Sequence, residues 1–279
     1  MTRLAENAYG KARVRVVKVS RRDGRHELRD LTVAIRLEGE FEDAHVRGDN
    51  RDVLPTDTMR NTVYALARQF EVDTIEEFAR ALATHFLPEN PVITRARVTV
   101  REQPWDRVSV HGRAHPHAFI RGSDETDVAT VTAEGESARI ESGIDELRVL
   151  KTTGSAFEGF HRDRFTTLRD TDDRVLATAM RVRWTYGLNE ISYAETRERA
   201  RQAIVETFAE HESRSVQHTA YAMGDTVLQR CPEIDAIAFS LPNQHHLLVD
   251  LTPFGLDNPN EIFVATDEPY GLIEAIIRR

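Results

Sequence analysis

The chain has 279 residues, of which 40% are hydrophobic and 30% are charged, a composition typical of a folded globular protein and not of a disordered one. The formal net charge of −9 argues against general binding to nucleic acid or to anionic membranes, although one well-placed arginine still allows a small anionic substrate. Cys231 is the single cysteine, which excludes an intrachain disulfide and a thiolate metal cluster.

Localisation signals are not found in the sequence. No apolar run approaches the roughly 20 residues that a membrane span requires, and the first residues lack the apolar core of a signal peptide. The chain does not end in the peroxisomal Ser-Lys-Leu address. We expect a cytoplasmic protein, and the length fits two domains better than one.

The first elements are two strands that form an antiparallel hairpin. Alternating apolar residues predict strands over 12–20 and 31–37, joined by the turn residues Asp23-Gly24. The apolar set of the first strand continues at Val17 and Val19, which allows a change of face within that strand.

A helix follows, beginning after Pro55. Thr56, Asp57 and Thr58 compete to cap its first turn, and apolar residues at helical spacing carry it to about Phe70. A hydroxyl, a carboxylate and unpaired N–H groups together favour an anion or polar ligand at this helix start. Taken alone, this stretch is more simply interpreted as ordinary helix capping.

The remaining pattern repeats this order of elements. A capping box at Thr74 and Glu77 predicts a second helix, ended by Pro91. A second capping box at Ser192 and Glu195 opens a helix to about Glu212. The other predicted elements are strands over 92–101, 105–110, 127–133, 137–150, 177–186, 234–241, 246–251 and 261–266, a helix from Ser215 to Pro232, and an apolar strand or short helix over 272–277.

We therefore predict an α+β fold built from two ββααββ units, 1–125 and 126–279, related by pattern and not by sequence identity. In each unit an antiparallel sheet carries helices on one face. Its strand edges need pairing or cover, so we predict a homo-oligomer.

Histidines give weak metal candidates. His115-Pro116-His117 supplies two ligands without a nearby third, which is more typical of a loop or structural role. Strand alternation places His245 and His246 on opposite faces, so both cannot ligate one metal. One of them is a candidate general acid or base.

Other residues are candidates for holding a flat anion. Arg174 offers a bidentate fork, although a surface pair with a neighbouring Asp is the plainer interpretation. Gln217, at a helix start, both donates and accepts hydrogen bonds, and Phe157 is suited to stacking or to core packing. Lys11 acts as a base only if its pKa is lowered. Phosphate-loop, dinucleotide and HExxH motifs do not occur in the sequence.

Short blocks along the chain are together specific to one family. They are Tyr9-Gly10-Lys11, Thr56-Asp57-Thr58, Asn61-Thr62-Val63-Tyr64, His115-Pro116-His117, Phe119-Ile120-Arg121, 150–157, Arg162-Asp163, Thr166-Thr167-Leu168, Asp173-Arg174, Ser215-Val216-Gln217, 240–243 and His245. In the order and spacing of these blocks the chain resembles urate oxidase (uricase) over nearly its full length.

The resemblance implies a tunnelling fold, two ββααββ units per chain, in a homotetramer around a central barrel. It also implies oxidation of urate by O2 and water to 5-hydroxyisourate and hydrogen peroxide, with no metal and no organic cofactor. Purine degradation is the implied setting.

The resemblance also implies a role for each matching residue. Lys11 and Thr56 would form a base dyad, and His245 would complete a proton relay. The substrate-binding set would be Thr56, Asp57, Phe157, Arg174, Val216, Gln217 and Asn243. Arg174 and Gln217 would grip the purine edge, Phe157 would stack on its face and the Val216 backbone would hydrogen-bond it. Thr56 and Asp57 would come from a neighbouring subunit, and Asn243 with Thr56 would hold O2 or water above the ring.

The chain departs from the family pattern at Leu54-Pro55, Arg60 and Gln244, and we expect none of these to touch a proposed reactive group. Two alternatives stay open. One is another purine- or pterin-binding enzyme of this fold, although a zinc-dependent cyclohydrolase would need a Cys/His ligand set. The other is a catalytically silent binding protein of the same fold.

Overall fold

The computed structural model describes residues 2–188 and 190–279. Contacts within the chain divide it into two compact units, Met1–Gly143 and Ile144–Arg279. The described strands are β1 (Tyr9–Arg22), β2 (Arg25–Gly39), β3 (Ile93–Gln103), β4 (Asp106–Val110), β5 (Arg113–Ile120), β6 (Thr126–Glu134), β7 (Ser137–Lys151), β8 (Leu176–Tyr186), β9 (Ile234–Leu248) and β10 (Phe263–Arg278). The described α-helices are α1 (Glu42–Val46), α2 (Thr56–Gln69), α3 (Ile75–Glu89), α4 (Tyr193–Glu210) and α5 (Val216–Arg230).

The first unit is a sheet with helices against it. Its strands lie in the order β1-β2-β3-β6, and the β1–β2, β2–β3 and β3–β6 pairs are antiparallel. Helix α3 packs on β3 and β6, and α2 packs on β1. The hairpin of β4 and β5 forms a separate two-stranded sheet.

The second unit has the same kind of packing. Its strands lie in the order β7-β8-β9-β10, with antiparallel β8–β9 and β9–β10 pairs. Helices α4 and α5 pack on each other, and α5 packs on β9 and β10. Each unit has its own hydrophobic core, and the mixed α+β class with mainly antiparallel sheet is as the sequence predicts.

Helix α3 follows its sequence pattern closely. Thr74 accepts a hydrogen bond from the Glu77 N–H at 3.3 Å, which confirms the Thr74 half of the predicted capping box, and its hydroxyl donates to the Glu77 carboxylate at 3.3 Å. The predicted apolar face, Ile75, Phe78, Leu82 and Phe86, is at most 2% exposed. Burial of each such side chain contributes roughly 1.5–3 kcal/mol, so the face fixes how α3 lies on its sheet.

The predicted side-chain cap bonds of α2 and α4 do not form, although Ser192 does occupy the predicted N-cap position of α4. Helix α2 begins at Thr56 with Pro55 at the N-cap position, and α4 begins after Ser192; neither has a side-chain cap bond. Pro55, at ψ 138°, already supplies the extended conformation of an N-cap. The polar residues 56–58 therefore lie inside the first turn.

Strand β1 does not change face as the sequence allowed. Val14 and Val16 are buried, while Val17 and Val19 are exposed. The irregularity lies earlier, between Lys11 and Val14, where Arg13 has a φ of 58°. A β-bulge there changes the direction of the side chains at the start of the strand, and the rest of the strand alternates regularly.

The last strands are longer than predicted. Residues 234–241 and 246–251, predicted as separate strands, are replaced by one strand, β9, that runs through Pro242. Strand β8 pairs with Asn243 and Ser240 on either side of Pro242, and the proline has no N–H to leave unpaired. Strand β10 includes the ambiguous segment 272–277.

Candidate active site

A cavity of about 640 Å³ lies in the second unit. Six residues proposed from sequence line it. They are Phe157, Arg174, Val216, Gln217, Asn243 and His245. Three elements supply them: the segment between β7 and β8, the first turn of α5, and the later part of β9. Concave sites of this size with a few polar groups are typical of small-molecule binding.

Arg174 is the most unusual group in the cavity. Its Cζ atom lies 5.1 Å from the centre of the Phe157 ring. Its Nε is buried and has no hydrogen-bond partner among the described residues. Burial lowers the pKa of this guanidinium, because the charge is partly removed from water without a compensating anion. The predicted surface pair with a neighbouring Asp is not what the structure has: Asp173 bonds to Thr153 and to the Ser155 N–H.

The aromatic wall is a stacked pair. Phe157 and Phe160 have ring centres 4.9 Å apart and ring planes at 10°. The Phe157 backbone is held by two hydrogen bonds with Thr171, of 2.8 and 3.1 Å. The ring is thus fixed beside the guanidinium, an arrangement suited to a flat anion.

The first turn of helix α5 lines the cavity. Ser215 caps it by accepting a hydrogen bond from the His218 N–H at 3.1 Å. The N–H groups of Val216 and Gln217 belong to the first turn, where no intrahelical acceptor exists. These donors and the helix dipole favour a carbonyl oxygen or an anion at this point.

Asn243 and His245 reach the cavity from β9. Asn243 is 8% exposed and lies opposite Thr178 of β8 and Gly271 of β10. His245 lies opposite Thr266, whose hydroxyl donates to the His245 carbonyl at 3.3 Å. Both His245 and His246 line the cavity. The β9–β10 register shifts between Thr266 and Gly271, the partners of His245 and Asn243.

Lys11, Thr56 and Asp57 belong to the first unit, where one hydrogen bond ties their two elements together. The Tyr9 hydroxyl accepts from the Leu54 N–H at 2.9 Å, which joins the strand that carries Lys11 to the start of the helix that carries Thr56. Gly10 is required beside Lys11, because a Cβ there would lie 1.9 Å from the Ile35 carbonyl oxygen.

Arg60, one of the departures from the family pattern, contacts the predicted site directly. It pairs with Asp57 at 2.7 Å, and Asn61 donates to the same carboxylate at 3.2 Å. Arg60 and Asn61 both belong to α2, so the Asp57 carboxylate is held by side chains of its own helix.

Sequence reasoning missed other residues of the cavity wall, including Thr152, Leu168, Asn260 and Phe263. Asn260 has a φ of 59°, and the polar Asn258-Pro259-Asn260 run is a readable turn signal. The others carry no local signal, because only tertiary packing brings them to the cavity.

The His115–His117 motif lies on β5, with ring centres 4.5 Å apart and His26 5.7 Å from His117. Over residues 2–188 and 190–279, three or more His, Cys, Asp or Glu side chains nowhere gather into an arrangement able to hold a metal ion. In those same ranges, no helix has the length and apolar character to cross a membrane.

Comparison with known proteins decides the family. The family model named Uricase matches residues 7–132 and 140–274. A uricase of Arthrobacter globiformis is 48% identical over 99% of this chain and 90% of that protein, and one of Aspergillus flavus is 38% identical over 97% and 95%. The chain belongs to the uricase family. It is accordingly an enzyme, an oxidoreductase that oxidises urate.

The solved structures agree with this assignment. The crystal structure of the Arthrobacter globiformis uricase matches with a TM-score of 0.95 at 47% identity, covering 100% of this chain and 96% of the other. A urate oxidase from Bacillus sp. TB-90 has a TM-score of 0.86 at 23% identity, covering 98% and 100%, which shows the shared fold. The two sequence-based alternatives, a pterin-type enzyme and a silent binding protein, are set aside by the family.

Proposed function

We propose that urate binds in the cavity of the second unit, with Arg174 and Gln217 on the ring edge and Phe157 on its face. The Val216 N–H bonds a ring carbonyl, and Asn243 lies above the ring. The observation that carries this proposal is the half-buried Arg174 guanidinium over the Phe157 ring, without a described partner at Nε. A flat anion supplies the missing charge and hydrogen bonds at once.

We propose that Lys11 and Thr56 form the base dyad, that His245 completes a proton relay, and that Thr56 and Asp57 reach the ring from a neighbouring copy. The Tyr9–Leu54 bond, which holds β1 at the start of α2, supports a joint role for Lys11 and Thr56. Thr56 stands in the first helical turn, where its hydroxyl and the free N–H groups are available to a ligand.

The proposed reaction needs neither a metal nor an organic cofactor. Deprotonated urate is electron-rich and gives two electrons to O2. Water adds to the oxidised ring, so urate, O2 and water yield 5-hydroxyisourate and hydrogen peroxide. The protein orients the ring, moves protons and keeps competing water out.

The proposed assembly is a homotetramer of chains that each contain two tunnelling-fold ββααββ units, the sheets closing a barrel. Strands β1 and β10 each have one hydrogen-bonded neighbour among the described strands and expose Val17, Leu272 and Ile276. Pairing such edges with other copies removes an aggregation hazard.

The antiparallel pairing of β6 with β3 favours a repeat boundary after β6 over the predicted one at 125.

We also propose a cytoplasmic location, which the buried free thiol of Cys231 supports.

One assay tests the chemistry. The ultraviolet absorbance of urate is followed with purified protein, with and without EDTA. We expect decay at the same rate in both, with stoichiometric hydrogen peroxide. Absence of decay would refute the oxidase proposal, and decay abolished by EDTA would refute its metal-free part.

A matched pair of variants tests the base. Lys11→Met should lower kcat by about 10²–10⁴-fold, the usual contribution of general-base catalysis. The Kd of xanthine, a purine that serves as a non-reactive analogue of urate, should change little. Lys18→Met is the control, because Lys18 lies on the same strand but donates to the Phe70 carbonyl. Equal activity of the two variants would contradict the role of Lys11.

A further inference from the structure

Two buried hydroxyls lie behind the cavity, outside its lining. Ser213 is 3% exposed and Thr219 is 2% exposed. Thr219 Oγ1 donates to Ser213 Oγ at 2.8 Å, and Ser213 Oγ donates to the Ser215 carbonyl at 3.0 Å. The chain of hydroxyls thus joins the second turn of α5 to the segment that precedes it.

The same serine holds the opposite wall through its backbone. The Ser213 N–H donates to the Gly154 carbonyl at 3.0 Å, and the Ala156 N–H donates to the Ser213 carbonyl at 2.7 Å. Residue 156 is followed directly by Phe157, the ring on which a flat ligand would stack. Ser213 therefore lies between the aromatic wall and the start of α5.

Thr219 fixes Ser213 because its hydroxyl has other restraints. Thr219 Oγ1 lies 3.4 Å from His211 Nδ1 and 3.3 Å from the Ser215 carbonyl. A buried hydroxyl pair of this kind has few alternative geometries, since a lost partner would remain unsatisfied away from water. The two residues therefore connect the start of α5, which carries Gln217, to the segment that carries Phe157.

We propose that the Ser213–Thr219 hydroxyl pair is a positioning device of the urate site, which sets the distance between the Val216–Gln217 edge and the Phe157 face. This inference rests on the proposed function. Neither residue touches the ligand; both act through the two walls they join. A misplacement of about 1 Å in such a wall is enough to weaken a fitted site.

The test is a set of variants measured for urate KM and kcat, the Kd of xanthine by calorimetry, and Tm. Thr219→Val keeps the shape and removes the hydroxyl. We expect the urate KM and the xanthine Kd to rise together by about three- to tenfold, the effect of one lost hydrogen bond. The expected change in kcat is smaller. Thr219→Ser restores the hydroxyl and should return both constants to within about twofold of the parent protein.

Two further variants keep the test decisive. Thr226→Val is the matched control, because Thr226 lies on the same helix and its hydroxyl bonds only the Ala222 carbonyl, at 2.9 Å, among described groups; we expect no change in KM. Ser213→Ala breaks the same chain of hydroxyls from its other end and should raise the urate KM and the xanthine Kd by the same factor as Thr219→Val. It takes the place of Thr219→Val in the test if the valine variant does not fold.

Three outcomes would overturn the inference: a lower Tm with unchanged xanthine Kd in Thr219→Val and Ser213→Ala, a Thr219→Ser variant no better than Thr219→Val, or an equal effect of Thr226→Val. Failure of the proposed function is distinct, because the parent protein would then not bind xanthine at all.

Discussion

At the residue scale, the environment of Arg174 supports the proposed urate site most directly. An arginine that is half buried and lacks a described partner at Nε is unfavourable in the free protein, since partial desolvation of a charge is not offset. Its pKa is lowered by burial for the same reason. Such a group supports the proposed binding of an anion here, and the Phe157 ring beside it favours a flat one.

The prediction for Arg174 separates stability from binding. Arg174→Met should hold or raise Tm, because it removes an uncompensated charge. The urate KM and the xanthine Kd should rise by at least about 100-fold, because two hydrogen bonds to a charged group are lost and each contributes about 1.5–3 kcal/mol. Arg174→Lys keeps the charge but loses the fork, and should recover little affinity. Unchanged xanthine binding in Arg174→Met would refute the assignment.

His211 carries a prediction about pH. Burial, His218 and Lys151 lower its pKa, in that order, while Glu212 opposes them. The Lys151 ammonium donates to the His211 carbonyl at 2.6 Å, and the His211 and His218 ring centres are 4.3 Å apart. Because the unfolded state binds this proton more readily, stability should fall as pH drops below about 6.5.

The measurement is Tm between pH 5 and 8. In His211→Gln the fall of Tm towards pH 5 should be shallower than in the parent protein. Parallel curves for the parent protein and His211→Gln would show that His211 is not the group responsible.

At the scale of elements, the Tyr9–Leu54 hydrogen bond joins two segments that carry different catalytic candidates. Tyr9 also packs edge-on against Phe41, with ring centres 4.8 Å apart. Burial raises the pKa of the Tyr9 hydroxyl, so it stays protonated at neutral pH. The start of α2 is thus set relative to β1 by a strand residue, since Pro55 provides no side-chain cap.

Tyr9→Phe tests this connection. Loss of the hydroxyl leaves the Leu54 N–H without its partner and should cost about 1–3 kcal/mol of unfolding free energy. We expect kcat to fall while the xanthine Kd stays within about twofold, because the residues proposed to bind the purine lie in the second unit. Tyr64→Phe, at an exposed position of α2, is the control. A raised xanthine Kd with unchanged kcat would contradict this division of roles.

At the scale of the whole molecule, the proposed site residues are divided between the two units of the chain. Lys11, Thr56 and Asp57 belong to one unit, and the residues of the 640 Å³ cavity belong to the other. In the proposed tetramer each site takes one set from each of two copies. Under this proposal a single copy has no complete active site, and activity requires the assembled tetramer.

Mixed tetramers test this point. Lys11→Met and Arg174→Met should each be nearly inactive alone. When the two are co-expressed, about a quarter of the sites should combine an intact Lys11 with an intact Arg174 if copies assemble at random. The activity of the purified mixture reports this recovery, and sedimentation reports the tetramer of 31.8 kDa chains. A tetrameric mixture without recovered activity would place both sets in the same copy.

The sequence by itself determined the local features whose cause is local. The Thr74–Glu77 capping box and the apolar stripe of α3 follow from spacing along one helix, and the alternation over 31–37 defines a buried face of β2. The family blocks also selected the six residues that line the cavity, because motif order is a property of the chain.

Tertiary structure decided what no local pattern contains. The unbroken course of β9 through Pro242 depends on its partners in β8, and the absence of a side-chain cap on α2 depends on the backbone set at Pro55. Asn260, Leu168 and Phe263 reach the cavity from distant positions, and Ser213 joins two walls by contacts across about 60 residues of chain. Sequence periodicity reports which face of an element is buried, whereas packing decides what that face meets.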